Sequence, residues 1–163
     1  MDFGQKATSI LEGWGAFDEE RRLEIEGERI SIDGDVAAAD RLSCSLSGLR
    51  LRLREPAALD PEDLKQWGDR IAGRIRYLLE ALETVELDVP QGKLLLRSTP
   101  PEKRPDGSVL YYELQLSSAG ELELSRRRYD GAARAVAPDR MHVTREVLQK
   151  LLNDLAATAP SSS

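Results

Sequence analysis

The chain holds few residues able to do chemistry on their own account. Its 163 residues include one histidine, His142, and one cysteine, Cys44. A histidine can serve as general base or pH switch, and a cysteine as nucleophile or metal ligand. Neither stands in a context that equips it. His142 follows a proline-containing turn with Asp139 and Arg140, and no serine or cysteine motif accompanies it. Cys44 shares the apolar parity of Leu42 and Leu46, so it reads as a small hydrophobe, and a lone cysteine forms no intrachain disulfide. Zinc and iron sites draw on these same two residue types, which puts the familiar metal motifs out of reach.

The acids offer more material and no better pattern. Asp33, Asp35 and Asp40 surround Gly34, but the closing acid of a calcium-binding loop is missing, and such residues are ordinary turn formers. With 29 acidic side chains, nothing in the spacing selects a pair for acid-base work. No glycine-rich phosphate loop can be traced. The sequence therefore assigns no catalytic residue, no cofactor and no metal.

The basic residues are patterned. Arg50, Arg52 and Arg54 alternate with leucines, so all three guanidiniums project from one strand face as a candidate anion row. Glu24, Glu26 and Glu28 lie on nearby strands and are expected to neutralise it. Arg126, Arg127 and Arg128 cannot all share a face; Arg126 and Arg128, the same-face pair, join Arg50, Arg52 and Arg54 as a disfavoured anion surface. With 5% aromatic residues and no interleaved basic and aromatic platform, nucleic acid is a disfavoured partner. Tyr112 falls in with the strand leucines, which leaves Tyr111 and Val109 on the outer face as a semi-apolar surface for a partner. Phe3, Ile10, Leu11, Trp14 and Phe17 crowd a short, glycine-broken arm that needs a surface to cover, its own sheet or a second subunit. Phe3, Trp14 and Phe17 join the partner-surface candidates on that basis.

These groups are carried by a chain long enough for one domain with a real core. It is 40% hydrophobic and 32% charged, with no apolar run near the length of a membrane span and no basic, apolar leader, so a cytoplasmic and, from its leucine, alanine and arginine content, bacterial protein is expected. The net charge of −6 is concentrated: residues 1–40 hold 11 acids against 4 bases, and residues 41–163 hold 18 against 19. An acidic domain of this kind repels phosphate backbones.

The elements follow from periodicity. A short helix is predicted from Phe3 to about Glu12, where Gly13 and Gly15 interrupt it. Leu23 and Ile25, then Ile30 and Ile32 up to Asp33-Gly34, predict a small hairpin. The next strand changes parity between Leu46 and Leu49, which places a bulge at Ser47-Gly48. Asp60 and Pro61 open a long helix whose stripe of Leu64, Trp67, Ile71, Ile75, Leu78 and Leu82 runs to about Thr84, with Gly68 and Gly73 marking close backbone approach. Strands follow over Val85–Val89, from Lys93 and from Leu110, with turns at Arg104–Gly107, Ser117–Gly120 and Tyr129–Gly131 and a short edge strand at Arg134–Val136. Thr144 caps a last helix that turns Val147, Leu151, Leu152 and Leu155 inward, and Ala159–Ser163 reads as a frayed tail.

The pattern predicts a single α+β domain over residues 1–158: two layers, an antiparallel meander sheet with a long central helix and a C-terminal helix packed on it. The order of elements resembles that of the small, acidic, dimeric chaperones of bacterial type III secretion, and the resemblance is one of element order alone, with no motif residues attached. It implies a protein that works through contacts with a protein partner or with itself as a homodimer, away from membranes. The other reading is a small-ligand domain or enzyme with an apolar pocket between sheet and long helix.

Overall fold

A computed structural model describes residues 1–55, 58–78 and 80–161 of the chain. It is an α+β fold: three helices and a ten-stranded, wholly antiparallel open sheet.

Helix α1, Phe3–Trp14, starts where the Asp2 carboxylate accepts the Gln5 N–H at 2.9 Å. The helix passes through Gly13 and stops at Gly15, whose φ of 73° is the left-handed geometry glycine permits, so it is longer than the sequence pattern predicts. Strand β1, Arg21–Glu26, pairs with β2, Ile30–Ala39. Asp33-Gly34 is mid-strand in β2, a correction to the expected turn. The reason is visible across the sheet: a Cβ on Gly34 would lie 2.7 Å from Leu49, so glycine is there for space.

Strand β3, Ser43–Leu53, carries the bulge at its parity change: Asp35 faces Gly48 while Val36 faces Leu46, which leaves Ser47 unopposed. A second shift, at Ala37, compensates on β2.

Helix α2 is Pro61–Arg74, opened by a reciprocal capping box between Asp60 and Asp63. It ends ten residues before the predicted Thr84, because Ile75 is already extended, and of the remaining stripe only Leu82 lies in an element, β4, Ala81–Asp88. Ile75, Leu78 and Leu82 are buried all the same; Leu79 falls outside the described residues. Gly68 approaches a leucine side chain and Gly73 faces open space, so neither marks a backbone crossing.

The chain continues through β5 (Lys93–Thr99), a two-residue β6 (Glu102–Lys103), β7 (Ser108–Ser117) and β8 (Glu121–Asp130). Two short strands, β9 (Ala135–Asp139) and β10 (Met141–Thr144), precede α3, Arg145–Thr158. Thr144 caps α3 by accepting the Val147 N–H at 3.0 Å. Val147 is half-buried, and Leu148 is the inward residue of that turn. Of the predicted tail, Ala159 packs on the core and the Pro160 carbonyl accepts from Arg29; Ser162 and Ser163 lie outside the described residues.

The sheet runs β1-β2-β3-β8-β7-β5-β4 and forks in the middle. Below the bulge β3 pairs with β8, Leu49 to Arg52 against Leu124 to Glu121. Above it the two strands part, and each takes another neighbour: β10 lies on β3 and β9 on β8. One face is apolar from edge to edge. Ile25, Ile32, Leu51, Leu122, Leu116, Leu94 and Leu87 are successive cross-strand partners over seven strands. One contiguous core joins this row to residues of all three helices.

Candidate interaction surface

The opposite face carries the odd-numbered residues of β7 and β8, and its character changes along the sheet. Toward β1 it is a lattice of charges. The Arg50 guanidinium holds Asp33 at 3.1 Å and Asp35 at 3.0 Å, and Arg22 reaches the same Asp33 as well as Glu24. Arg52 lies 3.9 Å from Glu121, and Arg54 lies 3.9 Å from Glu26 and donates to the Gly27 carbonyl. Asp33, Asp35, Glu26 and Glu121 thus surround the anion row, where the sequence pattern points to Glu24, Glu26 and Glu28. Asp40 caps its own turn through the Leu42 and Ser43 N–H groups, which hold its carboxyl below the usual range. Among the described residues no three metal-ligating groups converge.

Toward β9 the same face turns apolar and aromatic. The turn before β7 is built by Asp106, which accepts from the Ser108 N–H and hydroxyl, and by Gly107 at φ 88°. It sends Leu110 and Tyr112 to the core and Val109 and Tyr111 outward. Lys103, Val109, Tyr129 and Val136 are successive partners across β6, β7, β8 and β9, and Tyr111, Arg127 and Pro138 make the row beneath. Tyr129 and Val136 are 37% and 55% exposed, and Pro138 and Lys103 are exposed as well, while Val109 and Tyr111 are half-buried. Arg97 lies over the Tyr111 ring, 5.3 Å from its centroid, and pairs with Glu113 at 3.4 Å. Arg127 meets the other oxygen of Glu113 at 3.2 Å.

Sequence reasoning placed Val109 and Tyr111 on this face and missed Tyr129, Val136, Pro138 and Arg127. Their only signal is the register of the β8–β9 hairpin, which periodicity does not fix. The two anion-surface candidates of β8, Arg126 and Arg128, separate. Arg128 is exposed. Arg126 is in the interior, its side chain 5% exposed, 2.6 Å from Glu102, 3.9 Å from Glu80 and 4.4 Å from the Tyr112 ring centroid, which removes it from any anion surface. The strand brings it inward because it shares the parity of Leu122 and Leu124. Burial lifts the Glu80 carboxyl above its ordinary range, against the pull of Arg126 and with Glu102 adding repulsion.

Of the N-terminal candidates, Phe3 is buried, so its cover comes from its own chain and it is no surface residue. Trp14 and Phe17 are half-buried and stack edge to face at 5.7 Å with Arg21 over both rings. His142 has a partner that the sequence concealed: Ser45, its cross-strand neighbour, hydrogen-bonds Nδ1 at 2.7 Å. The pair is exposed and, among the described residues, no carboxylate hydrogen-bonds the ring, so the orienting third member of a nucleophilic triad is not supplied. The Cys44 thiol is pushed up to about 11 by burial, which keeps it protonated and inert at neutral pH.

A groove of about 970 Å³, open to solvent, lies away from the outer face of β6 to β9, between Met1, Asp2, the turn at Glu28 and Arg29, and Asn153 and Ala157 of α3. No protein-family model, curated protein or solved structure matches the chain.

Proposed function

We propose that this protein works without catalysis, as a cytoplasmic adaptor or chaperone-like module that binds a protein partner through the outer face of β6, β7, β8 and β9. The observation that carries the reading is the pair of rows on that face, Lys103-Val109-Tyr129-Val136 over Tyr111-Arg127-Pro138: apolar and aromatic side chains gathered on an exposed sheet surface, with Leu110, Tyr112 and Arg126 buried behind β7 and β8. Contiguous patches of this kind, rimmed by charge, are the usual mark of a contact site. A two-layer arrangement, helices on one side and this bare face on the other, is part of the proposal.

Two further observations support it over the pocket reading. The side chains that α2 turns to the sheet, Leu64, Trp67 and Ile71, are at most 1% exposed, which favours a packed interface there over a ligand pocket. The row Arg50, Arg52 and Arg54 is occupied by carboxylates of its own sheet, which weakens it as a phosphate track.

The test is a photo-crosslinking amino acid placed at Tyr129 and, as control, at Gly13 on α1, in the cells that make the protein. An adduct of discrete mass at Tyr129, absent at Gly13 and abolished by Val136→Glu, is the expected result. Equal labelling at both positions, or an adduct that survives Val136→Glu, would refute it.

A further inference from the structure

Resting on that reading, we infer that the occupant of the face is a short extended polypeptide segment in which one or two carboxylates flank an aromatic or long aliphatic side chain. The charge balance of the face selects the carboxylates. Glu113 pairs with both Arg97 and Arg127, Glu83 faces Arg97 across β4 and β5, and Lys103 stands exposed at the end of the upper row, so three cations meet two acids around the tyrosines and one positive charge is in excess. Tyr129, 37% exposed, and Tyr111, half-buried beneath Arg97, supply the apolar ground. Four strands about 4.8 Å apart make a surface on the order of 15 Å wide, the reach of four to five extended residues.

The alternatives fit less well. Strand addition at an edge is guarded at both ends of the sheet: β4 bears Glu83, Glu86 and Asp88 with a bulge at Val85, and β1 bears Arg21, Arg22, Glu24 and Glu26. A second copy docked face to face about a two-fold axis would bring two patches with the same excess of positive charge together. A nucleic-acid strand needs a run of cations, and here Glu113 sits at the centre while Glu123 and Glu121 continue down β8 on the same face.

The experiment screens the full-length protein against an array of random octapeptides, with a short single-stranded oligothymidylate alongside. Acidic peptides carrying an aromatic or leucine-type residue are expected to be enriched and to weaken with salt. Arg97→Glu is expected to loosen them about tenfold and Tyr129→Ser to loosen them comparably, with unchanged denaturation midpoints showing that both variants fold. Arg127→Gln, milder in charge, is expected to give a smaller loss in the same direction. Enrichment of basic or uncharged peptides that still depend on Tyr129 would overturn the acidic occupant and leave the face standing. Peptides bound equally by the parent and by Tyr129→Ser would overturn the face as well. Tighter binding of the oligothymidylate, lost in Arg97→Glu, or a dimeric mass in light scattering that Arg97→Glu abolishes, would replace the peptide with a nucleic acid or a second copy.

Discussion

Two glycines of α2 should respond to the same substitution with opposite signs. In a helix interior alanine is better than glycine by about 1 kcal/mol, so Gly→Ala stabilises wherever the new methyl has room. At Gly73 nothing lies within 4 Å of the added Cβ. Gly73→Ala is therefore expected to gain about 0.5–1 kcal/mol, the lower figure because the residue is in the last turn. At Gly68 the added Cβ would sit 2.6 Å from the Cδ2 of Leu94, with Leu96 Cδ1 at 3.6 Å and Thr84 Oγ1 at 3.8 Å. Leu94 is fully buried, so its methyl cannot swing clear without displacing another core side chain. Overpacking of this kind costs about 1–3 kcal/mol, which cancels or exceeds the propensity gain. The two variants should differ by about 0.5–3 kcal/mol, a separation of up to several degrees in Tm for a domain of this size. Urea denaturation of parent, Gly68→Ala and Gly73→Ala, with shared m-values, measures it. Should Gly68→Ala prove as stable as Gly73→Ala, the described approach of α2 to β5 is wrong.

Three other outcomes follow from buried ionisable groups. Asp154 is nearly buried, and hydrogen bonds from Tyr77 at 2.6 Å, Arg74 at 2.9 Å and Lys150 at 3.3 Å outweigh the burial that would raise its carboxyl, leaving it below the usual range. That stability is present above the ordinary carboxyl value of about 4 and is lost as pH falls through the depressed one, so Asp154→Asn should cost about 1–3 kcal/mol at neutral pH and converge with the parent in acid. Glu80 has the opposite sign: its raised carboxyl binds a proton in the fold before it does in the unfolded chain, so its charge weakens the fold at neutral pH and ceases to as pH falls. Glu80→Gln should raise the denaturation midpoint at neutral pH and leave it unchanged in acid; a loss at neutral pH would mean that the Arg126 contact outweighs burial. Cys44, buried with its thiol near 11, should stay unreactive to a disulfide reagent at mildly alkaline pH until the protein is unfolded; rapid labelling of the native state would contradict that.

The helix stripe from Leu64 to Leu82 shows how far periodicity carries. Every named residue in it is buried, yet only Leu64, Trp67 and Ile71 belong to a helix. Spacing reports which side chains go inside; it cannot tell a helix from a loop and strand that deliver the same residues to one core. Thr84 and Val85 are β-branched, and seven cross-strand pairings with β5 decide the matter, a tertiary effect invisible locally. Local signals with a steric cause transferred well: the Asp60-Pro61 start, the Thr144 cap and the parity change at Ser47-Gly48 all have structural counterparts. The interaction face was half legible for the same reason. Val109 and Tyr111 announce their side by alternation within one strand. Tyr129 and Val136 join them only through pairing around Gly131, and Ser45 meets His142 only because β10 lies on β3.

The fork in the sheet has a thermodynamic consequence. Because β9 pairs only with β8, and β10 with β3, the inserted strands are held by ladders separate from the β3–β8 seam below the bulge. Their opening breaks no hydrogen bond of that seam, so its free energy is set locally and lies below that of global unfolding. Strand β9 carries Val136 and Pro138, two of the seven residues of the proposed contact rows. A bound segment that spans β7, β8 and β9 would draw part of its affinity from closing this wedge, and the same wedge would set how readily it lets go.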